Sequence, residues 1–126
     1  MNFPEDLKYT KEHEWIRVQG DTGVVGITEY AQGELGDVVF VDLPAIGKKV
    51  KQGESAGTIE AVKAVSDIYA PAGGEVVETN AILQKTPEIV NKEPYGGGWI
   101  MKIKIANPAE LNTLLTAKQY RELIGQ

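Results

Sequence analysis

Ile59-Glu60-Ala61-Val62-Lys63-Ala64-Val65-Ser66-Asp67 sets a single lysine among small and β-branched apolar residues. Such a run favours extended backbone, and Lys63 lies where a tight hairpin would fold back on itself. Ser55 to Ala61 and Ala64 to Tyr69 are the two predicted arms, so the lysine stem points away from the tip. Taken alone, a lysine there serves solubility or protects a sheet edge. The rest of the chain has to say whether it does more.

Pro44-Ala45-Ile46-Gly47-Lys48-Lys49-Val50 before the hairpin and Pro71-Ala72-Gly73-Gly74-Glu75-Val76-Val77 after it share the pattern Pro-Ala-x-Gly-x-x-Val. Each copy places a Pro-Gly turn before a strand, and a turn residue, Gly53 or Asn80, follows. Two copies are too few for a solenoid. They fit a pseudo-twofold sandwich of two small sheets joined by the Lys63 hairpin.

Further out, Glu14 to Val18 and Val24 to Ile27 flank a turn at Gln19-Gly20-Asp21-Thr22-Gly23. Thr28 is placed to cap a short helix that stops at Gly36, and Asp37 to Asp42 reads as a well-buried strand. Gly74 to Thr79 is the strand after the hairpin, and Thr86-Pro87-Glu88 opens a helical turn. Tyr95-Gly96-Gly97-Gly98 is a flexible connector, and Trp99 to Ile105 alternates with Trp99, Met101, Ile103 and Ile105 on one face. Asn107-Pro108-Ala109-Glu110 and Thr116-Ala117-Lys118-Gln119 each start a helix with a capping box. Leu111, Leu114, Leu115, Tyr120, Leu123 and Ile124 would lay those helices on the β core. The expected fold is mainly β in one domain over residues 1–126, with a core over about 14–105 and C-terminal helices over about 107–124.

Composition narrows the chemistry. With 126 residues the chain can bury a real core, and with no cysteine it has neither a disulfide framework nor a thiolate metal site. The single histidine, His13, further restricts metal or triad chemistry. Thirteen basic against 18 acidic residues give a formal charge of -5, which disfavours nucleic acid and anionic membrane as partners. The N-terminus lacks a signal pattern, so a cytoplasmic protein is expected, or a mitochondrial matrix protein if a transit peptide has been removed. No phosphate-binding glycine pattern follows a strand. His13 stands between Glu12 and Glu14, but on an alternating strand those acids face away from it. What remains is an exposed lysine on a rather acidic β domain without catalytic machinery, a combination that suits a carrier.

Glu60-Ala61-Val62-Lys63-Ala64-Val65-Ser66-Asp67-Ile68-Tyr69-Ala70-Pro71 resembles the lipoylation segment of the glycine cleavage system H protein family. Tyr9-Thr10-x-Glu12-His13-Glu14-Trp15, Gly26-Ile27-Thr28-x-Tyr30-Ala31, Leu35-Gly36-Asp37 and Pro94-Tyr95-Gly96-x-Gly98-Trp99 extend the resemblance over nearly the whole chain, as does the helix that ends near Tyr120. It implies a lipoyl-domain-like barrel-sandwich hybrid of two small antiparallel sheets with short flanking helices and a C-terminal helical segment, and a non-catalytic monomeric carrier with lipoate in amide linkage to Lys63. Glu60, Val62 and Ala64 would frame that lysine for the lipoate-attaching enzymes. The arm would take an aminomethyl group from the pyridoxal-phosphate-dependent glycine decarboxylase as carbon dioxide leaves. It would pass the one-carbon unit to the tetrahydrofolate-dependent aminomethyltransferase and be reoxidised by dihydrolipoamide dehydrogenase.

Such cargo is cationic and labile in water, so a carrier should shelter it beside carboxylates, for which Glu14 and Asp67 are the candidates. Three departures from the family pattern stand out: Ala61 for the usual Ser, Ala72-Gly73 for a more usual Val-Ser, and Gly97 for an acidic residue. Three other readings remain open. A biotinyl-type carrier would resemble Met-Lys-Met rather than Val62-Lys63-Ala64. The others are a lipoate-relay protein for 2-oxoacid dehydrogenases and an unmodified interaction domain.

Overall fold

Lys102 and Lys104 alternate with Met101, Ile103 and Ile105, and the pleat sorts them: the three apolar side chains are buried and Lys104 is exposed. In the computed structural model, which describes residues 1–126, this strand lies inside a six-stranded sheet. The strands in chain order are β1 (Lys8–Tyr9), β2 (Glu14–Gln19), β3 (Thr22–Ile27), β4 (Val38–Asp42), β5 (Lys49–Val50), β6 (Ser55–Ala61), β7 (Val65–Tyr69), β8 (Gly74–Thr79) and β9 (Met101–Ile105). The larger sheet runs β1-β2-β3-β9-β8-β5 and the smaller β4-β6-β7, with every pairing antiparallel. The fold is mainly β, in two antiparallel sheets that do not close, as expected. The two copies of the Pro-Ala-x-Gly pattern run antiparallel side by side in the larger sheet, Lys49 opposite Glu75 and Val50 opposite Gly74.

Between the sheets lies a cluster of 19 buried residues, among them Val25 and Ile103 from one side and Val41, Ile59 and Ile68 from the other. Successive residues of a strand face opposite ways, so Trp15 and Val24 point to the far side of the larger sheet. There they join Phe3, Leu7, Tyr9, Ala117 and Tyr120 in a second cluster. Three α-helices, α1 (Glu29–Leu35), α2 (Ile89–Lys92) and α3 (Ala117–Ile124), and two short 3-10 helices, Ala81–Gln84 and Pro108–Thr113, complete the chain. Thr28 caps α1 by accepting from Ala31 N, and Thr116 with Gln119 forms the capping box expected for α3.

Several local expectations are corrected. His13 is not on a strand; it sits in a turn at φ 75° and its carbonyl accepts from Thr28 N. The strand from Val38 is only half buried, because a register shift between Val38 and Phe40 turns Val39 and Phe40 outward. Thr86 caps nothing, and α2 begins only at Ile89. Pro108–Thr113 is a 3-10 helix capped by Asn107, and the Glu110 carboxylate accepts from Gly73 N instead of closing a capping box. Leu123 is exposed, and β9 starts after Trp99 and Ile100. The glycine-rich connector is packed: Asn80 donates to Gly97 O and Trp99 O, both at 2.8 Å. A Cβ at Gly98 would lie 2.6 Å from Glu93 O.

Candidate functional site

The β6–β7 hairpin turns through Val62 and Lys63, closed by Ala61 N donating to Ala64 O at 2.9 Å with Glu60 opposite Val65. The N–H groups of the loop itself are also used. Val62 N donates to Asp37 O at 2.9 Å and Lys63 N to Leu35 O at 3.2 Å, so the turn is tied to the corner between α1 and β4. That corner can form only because Gly36 adopts φ 78° and ψ -161°, a region glycine alone occupies at ease. A Cβ on Gly36 would sit 3.3 Å from Lys63 Cγ, so the missing side chain also lets the lysine stem pass.

Behind the corner, Asn91 of α2 acts as a clasp. It donates to Gly36 O and to Gln32 Oε1, each at 2.9 Å, and its Oδ1 accepts from Val38 N at 2.8 Å. The backbone of Lys63 is thus fixed while its side chain is exposed and forms no ion pair. Glu60, Val62 and Ala64 are exposed around it. This combination, a fixed base and an open amine, fits the attachment of a long acyl group.

Beside the hairpin is a cavity of about 160 Å³ whose lining includes His13, Glu14, Leu35, Ile59 and Asp67. Glu14 and Asp67, distant in sequence, are therefore brought together. Glu14 opens β2 and is 1% exposed. Its Oε1 accepts from the Thr10 hydroxyl at 2.6 Å and its Oε2 from Tyr69 N at 3.3 Å, while the same hydroxyl accepts from Glu14 N at 3.0 Å. Burial pushes the carboxyl up to about 8, against the smaller opposing pull of the Thr10 and Tyr69 hydrogen bonds. Asp67 is exposed and accepts from the Ser55 hydroxyl at 2.8 Å. One carboxyl is deep and poised near neutrality; the other is open to solvent.

Sequence reasoning set His13 aside, yet it is part of the cavity wall. Its Nδ1 lies 2.8 Å from the Tyr120 hydroxyl, which is also 2.8 Å from the Thr28 hydroxyl that caps α1. The C-terminal helix and α1 are tied to the wall through these three side chains.

A sequence profile described as Glycine cleavage H-protein matches residues 7–126. The chain belongs to that family. Among H-protein relatives, the glycine cleavage system H protein of Symbiobacterium thermophilum is 59% identical over 119 residues, 94% of this chain and 93% of that one. The protein of the same name from Bacteroides fragilis is 56% identical over 125 residues, 99% of each chain. A crystal structure of a glycine cleavage system H protein from Mycobacterium marinum superposes with a TM-score of 0.90 at 42% identity, covering 98% of this chain and all of that one. The H-protein match takes in the hairpin, the Leu35-Gly36-Asp37 corner and both carboxylates.

Proposed function

We propose that this chain is the lipoyl carrier of a glycine cleavage system and that Lys63 is its attachment site. The observation that carries the reading is the Lys63 turn, pinned by backbone hydrogen bonds and bare at its amine, in a chain whose family match spans residues 7–126. A lipoyl amide supplies a disulfide that accepts the aminomethyl group of glycine and surrenders it to a second enzyme. The chain itself does no chemistry. It fixes the base of the arm, so that delivery to a docked enzyme becomes an intramolecular encounter at an effective concentration on the order of millimolar.

Glu14 and Asp67 are the residues that would hold the loaded arm. Lysine and lipoate together reach about 13 Å. Ser66, in the cavity lining, is three residues from Lys63 along the chain, at most roughly 10 Å away. In the empty cavity near pH 7 Glu14 keeps its proton, since burial raises it to about 8. A cation entering beside it favours the ionised form, so the carboxyl adapts its charge to its guest. Asp67 meets the same cation at the wet side of the cavity.

The glycine decarboxylase, the aminomethyltransferase, dihydrolipoamide dehydrogenase and the lipoate-attaching enzymes are the partners this role implies. The two relatives named above are bacterial, in keeping with a cytoplasmic carrier. Intact-mass spectrometry of protein from its native host, with peptide mapping at Lys63, tests the attachment. A lipoyl increment at Lys63 supports it, whereas a biotinyl increment or a bare lysine in a lipoate-replete host overturns it. Reconstituted glycine decarboxylation then separates this role from lipoate relay. For the shelter, the double variant Glu14→Ala with Asp67→Ala should shorten the half-life of the loaded arm, and unchanged decay sinks it.

A further inference from the structure

The outward side of the smaller sheet is built from two cross-strand rows. Phe40, Glu60 and Val65 form one, and Asp42, Thr58 and Asp67 the other. Phe40 is 43% and Val65 68% exposed, and Val62 at the turn and Val39 at the bulge are barer than Phe40. Nothing in the chain covers them. The three strands contain Asp42, Glu60 and Asp67 but no lysine or arginine, whereas the larger sheet contains Lys8, Arg17, Lys49, Lys102 and Lys104. Glu34 and Asp37 add carboxylates at the neighbouring corner. Lys63 is the one cation in the three strands and the turn that joins β6 to β7, and it is the residue that an amide would neutralise.

We infer that this face is the docking surface for the enzymes that take up the Lys63 arm, and that their matching surface is an apolar centre ringed by basic side chains. The inference rests on the functional reading above, because the surface adjoins the turn that any such enzyme must cover. Exposed apolar side chains gathered on one sheet face mark an interaction site, and carboxylates around them select a basic partner and speed its approach. Amide formation at Nζ, in which the lysine nitrogen loses protons to solvent, keeps one as the amide N–H and displaces the leaving group of an activated acyl donor, removes the ammonium charge and leaves the three strands and their turn with carboxylates and no cation. The same partner therefore binds the acylated protein more tightly than the unmodified one.

The test uses lipoylated protein, confirmed by intact mass, and the glycine decarboxylase and aminomethyltransferase of the same host as separate binding probes. Phe40→Ser with Val65→Ser should weaken binding to at least one of the two by about tenfold. Asp42→Lys should do so by about fivefold, with a loss that fades as salt rises. Val77→Ser and Glu75→Lys, matched changes on the larger sheet, should leave both affinities unchanged. Unmodified protein should bind about threefold more weakly than the lipoylated form. Circular dichroism confirms that each variant is folded, and none of the changed side chains is buried. An acylated Lys63 with affinities unmoved by the smaller-sheet variants overturns this inference alone. A Lys63 never acylated in the native host overturns the functional reading, and this inference with it.

Discussion

The two sheets share one core but differ in what covers their outer sides. Behind the larger sheet, Trp15 and Val24 are sealed by Phe3, Tyr9 and Tyr120, and the Trp15 indole N–H lies 3.0 Å from both Ile27 O and Pro94 O. Outside the smaller sheet, Phe40 and Val65 stand in solvent beside Glu60. Trp15 and Val24 of the larger sheet are covered by their own chain, and Phe40 and Val65 of the smaller are left bare. Stability should therefore reside in the first and function in the second, and substitutions can break that division.

The largest expected effect is functional. Lys63→Arg keeps the charge but cannot form the amide, so the lipoyl mass increment and reconstituted glycine decarboxylation should both vanish. Its unfolding free energy, read by urea denaturation, should stay within about 0.5 kcal/mol of the parent, as an exposed site implies. A large loss of stability would mean that the turn is structural and would blur the contrast. Trp15→Ala is the mirror image. It should lower stability by about 3–5 kcal/mol by leaving a cavity and two unpartnered carbonyls, with acylation of the folded fraction intact.

Glu14 sits on the boundary, since it belongs to the larger sheet but faces the cavity. Its carboxyl moves from the ordinary 4.5 to about 8 in the folded chain, so the folded state binds the extra proton across that interval. Stability must then fall as pH rises from about 4.5 towards 8, by roughly 1.4 kcal/mol for each pH unit within the window. His13 is lowered by burial and contributes in the opposite sense, with stability rising as pH increases up to its ordinary 6.5. The clean interval is therefore pH 6.5 to 7.5, where chemical denaturation should show the parent falling and Glu14→Gln flat. A parent as flat as the variant would mean that Glu14 is already ionised in the fold.

Much of this was legible locally. The ends of β6 and β8 follow the sequence pattern, and Thr28 and Gly36 bound α1 as their chemistry requires. Both carboxylates of the cavity could be named because their segments resemble a known family. What the pattern hid depends on long-range contacts. The outward turn of Phe40 needs the register shift against β6, and an apolar run does not reveal it. His13 looked like a strand residue because Glu-His-Glu-Trp alternates, while its φ of 75° is set by the turn through Thr10 and the bond from Thr28 N. Asn91 gave no signal, since a lone asparagine in a short helix says nothing of a corner 53 residues earlier.

The smallest effect asks how strictly the bare side depends on the covered one. Gly36 carries no catalytic or binding group, but it shapes the corner that holds the Lys63 turn. Gly36→Ala places a Cβ at φ 78° and ψ -161° and 3.3 Å from Lys63 Cγ, at a cost of about 1–3 kcal/mol. The strain can be relieved only by moving the corner, which means loosening the bonds from Val62 N and Lys63 N. Hydrogen exchange at those two amides should accelerate by more than at the β3–β9 amides, and the rate of Lys63 acylation should fall while its final extent is unchanged. Equal acceleration throughout would show that the corner melts with the whole protein and that the turn has no separate hold. Acceleration confined to Val62 and Lys63 would show that the fold fixes the base of the arm locally, through one glycine and two backbone bonds.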